Sequence, residues 1–306
     1  MQATPCYTLE DLRDWRAPGT HLAVLGYPVR HSLSPEMHNA ALQAMARSHA
    51  ELAEWRYHRI EIPAEDLPRT LRQLAELPFH GVNLTIPHKV DAVSLVARVD
   101  EDAKALGAVN TLRREEIGWV GFNTDGYGIE KALEQELEVS FAGEDVILLG
   151  AGGAARAVAV QAIRSGCRSL WIGNRTADRL RDLLQRLQSL VEEKTPLHGF
   201  DLTAPPSSLP RKGIVINVTS LGLRAEDPAP IDLAHFHEET RVLDSTYGNP
   251  HNQLLRNARE RGMRATDGLA MLVWQGVRSL EIWTGKPVPS HIMREAAQSA
   301  LESRRK

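Results

Sequence analysis

Apolar runs of strand length alternate with amphipathic stretches of helix length along most of the chain. His21-Leu-Ala-Val-Leu-Gly26 reads as a buried strand, and a loop from Tyr27 to Ser34 follows it. Pro35 then opens a helix to about Arg47, with Ser34 as its N-cap and Pro35 at the first helical position, where a missing N–H costs nothing. Trp55 to Ile62 alternates as a strand does. Asp66 to Leu77 reads as a helix with Pro68 in its first turn. Gly81-Val-Asn-Leu-Thr-Ile86 is a strand that Pro87 ends. Ala108 to Arg114 and Ile117 to Asn123 form a hairpin across the charged turn Glu115-Glu116.

From Gly126 the pattern becomes regular. A helix to about Leu137 leads into a strand at Val146, and further strands follow at Ser169–Gly173, Ile214–Val218 and Val242–Ser245 with helical stretches between them. Strands separated by helix-length segments imply a parallel sheet with right-handed crossovers. Residues 201–210, rich in proline and serine, read as a surface loop. Two apolar-periodic stretches, Leu269 to Trp283 and Pro289 to Leu301, exceed what a mononucleotide-binding half needs and are expected to pack back on the first domain. The fold class is therefore α/β with two domains. Residues 1–125 and 267–306 form the first, and residues 126–266 form a Rossmann-like second. Residues 1–20 receive no role. The length, 306 residues, suits this division, because one core seldom serves more than roughly 250–300 residues.

Composition narrows the class without naming it. With 42% hydrophobic and 25% charged residues the chain is globular rather than disordered. A net charge of −3 argues against nucleic-acid binding but allows a small anionic substrate, for which a few local donors suffice. Cys6 and Cys167 make neither a disulfide framework nor a metal cluster, which points to a reducing compartment. No apolar run approaches the roughly 20 residues that span a bilayer, and the acidic N-terminal segment is no secretory signal. The expectation is a cytoplasmic protein, monomeric or homodimeric, with no membrane or nucleic-acid partner.

The most informative motif is Val146-Ile-Leu-Leu-Gly150-Ala-Gly152-Gly153-Ala-Ala155-Arg156. Gly150, Gly152 and Ala155 fit the G-x-G-x-x-G/A pattern between a strand and a helix. The first glycine permits the turn, the second lets backbone N–H groups approach phosphate, and the helix dipole at Gly153–Ala154 favours an anion. At the end of the next strand an NAD site usually carries an acidic residue for the ribose 2′-hydroxyl. This chain has Asn174-Arg175-Thr176 there, with Arg179 one turn on. Arginines at that point grip a 2′-phosphate, which favours NADP.

The first half supplies the candidate chemistry. Lys89 follows the strand Val82–Ile86 across Pro87-His88 and is placed in the first turn of a helix, a position suited to proton transfer; a solvated lysine is the plainer reading. Asp125 reads equally as a helix N-cap. Ser32 and Ser34, at i and i+2 before a helix, could hold a carboxylate or simply cap the helix. His31, His38 and His88 lack the spacing of metal ligands.

Nine segments, in one order, resemble the shikimate dehydrogenase family. They are Gly26-Tyr-Pro-Val-Arg-His-Ser32-Leu-Ser34-Pro, Asn83-Leu-Thr85-Ile-Pro-His-Lys89, Gly107-Ala-Val-Asn110-Thr-Leu, Asn123-Thr-Asp125-Gly, Gly150 to Arg156, Asn174-Arg-Thr, Asn217-Val-Thr-Ser, Asp244-Ser-Thr-Tyr247 and Met271-Leu-Val-Trp-Gln275. The resemblance implies NADPH-dependent reduction of 3-dehydroshikimate to shikimate. It implies that Ser32 and Ser34 bind the substrate carboxylate with Tyr247 nearby, and that Thr85, Lys89, Asn110, Asp125 and Gln275 surround the ring hydroxyls. Lys89 and Asp125 would be the catalytic pair: an ammonium that polarises the carbonyl oxygen and donates the proton, and a carboxylate that keeps it charged and orients the neighbouring hydroxyl. Gly150, Ala151, Gly152, Gly153, Ala154, Asn174, Arg175, Thr176 and Arg179 would contact the cofactor, with Thr219 near the nicotinamide. Two domains facing a cleft would close on both ligands, and no metal is required. The chain departs from the family's usual pattern at Gly-Asn-Pro after Tyr247, at Asn252 and at Gly276. The alternatives are a quinate or quinate/shikimate dehydrogenase using NAD or NADP, a methylene-tetrahydrofolate dehydrogenase, whose motifs are missing, and a non-catalytic NADP-binding regulator.

Overall fold

The structure, a computed structural model, describes residues 5–188, 190–191 and 195–305. It divides into two compact units. One runs to Thr124 and resumes at Val273; the other is Asp125–Leu272. The break between them therefore falls inside the helix that begins at Leu269, six residues beyond the expected start of the return segment at 267.

The first unit carries the strands β1 (Cys6–Tyr7), β2 (Thr20–Gly26), β3 (Trp55–Glu61), β4 (Phe79–Leu84), β5 (Arg98–Val99), β6 (Thr111–Glu115) and β7 (Gly118–Phe122), ordered β1-β3-β2-β4-β6-β7-β5. Its helices are α1 (Ser34–Met45), α2 (Leu67–Glu76) and α3 (Glu101–Leu106). The β1-β3-β2-β4 portion is parallel, and β6 joins it antiparallel through the hairpin with β7. A central parallel strand is covered on both faces and so reads as an unbroken apolar run. That is why Leu22 to Leu25 are all buried. The strand expected at 81–86 starts and ends earlier, at Phe79 and Leu84, because the chain leaves the sheet after Leu84 to turn.

Residues 5–19, left without a role by the sequence, complete this sheet. β1 pairs with β3, Cys6 opposite Arg59 and Tyr7 opposite Ile60. Leu9, Leu12 and Trp15 then enter the core with Ile60, Leu71 and Phe79. The Trp15 indole meets the rings of Tyr7 and His21 edge-on at 5.1 Å and that of His58 at 5.0 Å. Removing a side chain of this size from water contributes about 2–3 kcal/mol, enough to hold a short edge strand in place.

The second unit is a parallel sheet of β8 (Asp145–Leu149), β9 (Ser169–Asn174), β10 (Leu197–Asp201), β11 (Ile214–Asn217), β12 (Arg241–Asp244) and β13 (Arg264–Thr266), ordered β10-β9-β8-β11-β12-β13. Its helices are α4 (Asp125–Leu137), α5 (Gly153–Arg164), α6 (Ala177–Gln188) and α7 (Gln253–Glu260). The reversal of strand order beside β8 is the switch point at which such sheets bind ligands. Strands β10 and β13 escaped the sequence reading because they are weakly apolar. Of the loop expected at 201–210, Asp201 still ends β10 and only residues 202–210 are irregular, with Leu202 and Leu209 dipping into the core beside Phe200.

The return segment is α8 (Leu269–Thr284) and α9 (Ser290–Arg305). From Val273 it belongs to the first unit, as its hydrogen bonds show. Trp283 Nε1 donates to the Leu112 carbonyl at 2.9 Å, and Arg113 donates to the Ile282 carbonyl at 3.1 Å. Helix α9 packs along α1. Among the described residues no helix is long and apolar enough to cross a membrane.

Candidate active site

In the first unit the candidate substrate residues gather where the parallel strands end. Thr85 N–H donates to the Leu25 carbonyl at 2.9 Å, and Tyr27 N–H to the Ile86 carbonyl at 3.0 Å, so the loops after β2 and β4 lie side by side. A Cβ on Gly26 would collide with the Thr85 methyl, which makes glycine a requirement of that approach.

The serine pair forms as a unit. Ser32 Oγ lies 3.1 Å from Ser34 Oγ and accepts from the Ser34 N–H at 3.3 Å. Leu33, fully buried between them, pins the loop. Ser34 is not the N-cap: Leu33 holds that position and α1 begins with Ser34 itself. The Ser34 hydroxyl, which does not cap the helix, faces Ser32 and the Tyr57 side chain instead.

Lys89 is not in a helix either. Residues 86–90 form a turn, with the His88 N–H on the Thr85 carbonyl at 2.9 Å, that leads into a 3-10 helix at Asp91–Ser94. His88 is buried, bonds the Ile62 carbonyl at 2.9 Å, and burial holds its pKa below the ordinary value. That anchor leaves the next residue, Lys89, half-exposed, and its carbonyl accepts from the Val109 N–H at 2.8 Å.

Asn110, beside Val109, is the hub. Its Oδ1 accepts from the Thr124 N–H at 2.8 Å and from Thr111 Oγ1 at 3.0 Å. Its Nδ2 donates to Thr124 Oγ1 at 3.0 Å and to Gln275 Oε1 at 3.4 Å. Lys89, Asn110 and Gln275 are thus joined to the residue that immediately precedes Asp125. Asp125 is 3% exposed and opens α4 in the second unit.

Beneath this lies a polar layer that the sequence reading missed. Asn83 receives the Tyr57 hydroxyl at 2.7 Å and donates to the Asn110 carbonyl, Thr111 Oγ1 and Ser279 Oγ at 3.1, 3.0 and 2.9 Å. Tyr57 stacks on His38 at 4.1 Å, and His38 Nδ1 bonds the Ser34 carbonyl at 2.8 Å. Desolvation lowers the His38 pKa to about 4. An asparagine inside an apolar strand was the available signal, since buried polar groups need partners. Gly276 follows from the same layer, as a Cβ there would press within 3.2 Å of His38 Cε1.

In the second unit the glycine motif takes the expected form. Gly150 has φ +119°, and Thr219 packs against it, 3.3 Å from a hypothetical Cβ. Gly152 is the N-cap of α5, and a Cβ on Gly152 or Gly153 would enter open space. The first-turn N–H groups of a 12-residue helix thus face an open cradle that side chains would fill. Ala151 and Ala154 flank it. Asn174 ends β9 with Nδ2 bonded to the Thr176 carbonyl at 2.9 Å. Arg175 and Arg179 are exposed and have no ion-pair partner among the described residues, because the intervening Asp178 pairs with Arg181 at 3.1 Å. These residues fit a dinucleotide bearing an extra phosphate.

Thr219 and Tyr247 sit on loops organised by buried Asp244. Its oxygens accept from Asn217 Nδ2 at 2.8 Å, Asn252 Nδ2 at 3.0 Å and Thr246 Oγ1 at 2.7 Å, and burial raises its pKa. Asn217 in turn accepts from Thr219 Oγ1 at 2.8 Å. Asn252 also caps α7 at the Leu255 N–H, which accounts for an asparagine there. Tyr247 is half-buried on the loop after β12.

Two family models match the chain: the shikimate dehydrogenase substrate binding domain over residues 24–112 and the shikimate 5′-dehydrogenase C-terminal domain over residues 268–298. The NADP(+) shikimate dehydrogenase of Methanopyrus kandleri is 36% identical over 92% of this chain and 95% of its own. A shikimate dehydrogenase solved in complex with NADP+ superposes with a TM-score of 0.82 at 29% identity, covering 94% of this chain and 97% of that one. The Thermus thermophilus enzyme in complex with NADP(H) and shikimate gives 0.78 at 35% identity, covering 92% and 99%. With likeness running through both units at these identities, the chain belongs to the shikimate dehydrogenase family.

Proposed function

We propose that the chain catalyses the reversible, NADPH-dependent reduction of 3-dehydroshikimate to shikimate. The observation that carries this reading is the Asn110 hub, which ties the turn holding Lys89, the residue before Asp125 and Gln275 into one hydrogen-bonded set around a buried asparagine. Bound NADP(H) supplies or takes the hydride. Lys89 presents its ammonium to the carbonyl oxygen and donates the proton that the oxygen needs. Asp125 orients the neighbouring hydroxyl as a carboxylate acceptor. Ser32 and Ser34 receive the substrate carboxylate, with Tyr247 assigned to the same group. Thr85, Asn110 and Gln275 hold ring hydroxyls. The cradle of Gly150 to Ala154 takes the pyrophosphate, Asn174, Arg175, Thr176 and Arg179 the adenosine 2′-phosphate, and Thr219 the nicotinamide side. The first unit is accordingly the substrate domain and the second the NADP domain. Free Cys6 and Cys167 suit the cytoplasm.

Formation of reduced nicotinamide tests the assignment, run with shikimate and quinate against NADP and NAD. Shikimate with NADP is expected to give the highest kcat/KM. Quinate with NAD as the best pair would overturn it.

A further inference from the structure

We infer that Arg59 is a positioning residue for the substrate carboxylate, acting through the Ser32 peptide and Glu36; this rests on the reading of Ser32 and Ser34 as carboxylate ligands. Arg59 lies on β3 and is 4% exposed. One guanidinium nitrogen donates to the Ser32 carbonyl at 2.6 Å and to the two oxygens of Glu36 at 2.9 and 3.0 Å. Arg304, near the end of α9, donates to the His31 carbonyl at 2.7 Å and to the Ser32 carbonyl at 3.4 Å, and stands 3.7 Å from Glu36.

Two effects follow. Fixing the Ser32 carbonyl fixes the direction in which its hydroxyl projects, and hence the 3.1 Å spacing to Ser34 Oγ. The second effect is electrostatic. Glu36 is two residues past Ser34, and its bare carboxylate would repel an incoming anion. Two guanidinium groups against one carboxylate leave a net positive charge behind the serines. Because Arg59 is desolvated, its share is only weakly screened. An apolar residue at 59 would both loosen the peptide and leave Glu36 balanced by Arg304 alone, with no net positive charge behind the serines.

Steady-state kinetics with shikimate and its uncharged methyl ester, at saturating NADP, test this. Arg59→Met is expected to raise KM for shikimate about tenfold or more, to leave kcat and KM for NADP within about twofold, and to narrow the preference for acid over ester. Arg59→Met/Glu36→Gln is expected to recover most of that preference. A purely structural role would affect acid and ester alike and would not be rescued. Unchanged KM in folded Arg59→Met, or a double variant no better than the single, overturns the inference. Should Arg59→Met not fold, Arg304→Met at the exposed helix end reads the same field. A rise in KM of about threefold is expected there, and no rise overturns it. Ser32→Ala separates the two levels. No change in KM or in the acid/ester ratio would sink the serine-pair reading. A change in Ser32→Ala without one in Arg59→Met would sink only the role of Arg59.

Discussion

In the first unit the candidate ligand groups are side chains drawn from positions as distant as Ser32 and Gln275, interlocked through buried Asn83, Asn110, Thr124 and Ser279. In the second, the glycine loop offers main-chain N–H groups of consecutive residues, opening on a cradle with nothing within 4 Å of where Gly152 and Gly153 would carry a Cβ. The first arrangement binds precision to stability, since each member satisfies others that are also buried. The second separates them, since the loop's shape rests on strand and helix while its function rests on empty space. Changes in the first unit should therefore register in folding and catalysis together, and changes at the open part of the loop in affinity alone.

The largest expected effect would sharpen that contrast at Lys89, the half-exposed residue proposed as proton donor. Lys89→Ala should lower kcat by roughly 10²–10⁴ while NADP affinity, read by fluorescence titration, stays put. Retained turnover would remove Lys89 from its role.

Acid should reach the first unit before the second. His38 and His58 are both held to about 4 by burial. Each is neutral in the folded protein, so its contribution is whole above the unfolded value near 6.5 and is lost as pH falls towards 4. The His38 share amounts to about 3 kcal/mol across that window. Asp244 in the second unit works with the opposite sign, because its raised pKa favours the folded state at low pH and loses that advantage as pH rises. Urea midpoints that stay flat between pH 7 and 4 would contradict this account.

Asn83→Leu removes the acceptor of the buried Tyr57 hydroxyl and the amide at the centre of the polar layer, and it should cost about 3 kcal/mol in chemical denaturation. A variant as stable as the parent would show that the polar layer is not needed for folding. Arg175→Ala should weaken NADP about tenfold and leave NAD untouched; equal losses for both nucleotides would rule out a phosphate clamp. The finest distinction lies within one loop. Gly150→Ala meets a strained φ and Thr219 and should lose about 1–2 kcal/mol of stability, whereas Gly152→Ala should keep its melting point and lose NADP affinity. The reverse pattern would exchange the two glycines' roles.

Much of this was legible in the chain. Strands such as 21–26 and 146–149 declare themselves because full burial on both faces demands consecutive apolar residues. The glycine motif is legible for a related reason: its chemistry is local, held by neighbours in sequence. Cys6–Tyr7 and Arg98–Val99 were not, since two residues carry no period. The sequence puts Lys89 in a helix and makes Ser34 a cap and the structure does neither, because proline and serine signal a turn or a helix start without saying which residue leads.

The sequence by itself determined the alternation of elements, the nucleotide loop and the identity of the groups that could do chemistry, because each depends on residues close along the chain. Only the tertiary structure decided that residues 5–19 would complete a sheet, that Asn110 would join Thr124 to Gln275, and that Arg59 and Arg304 would meet at the Ser32 carbonyl. Those are contacts between distant positions, where a polar residue's partner is chosen by packing and no local pattern can name it.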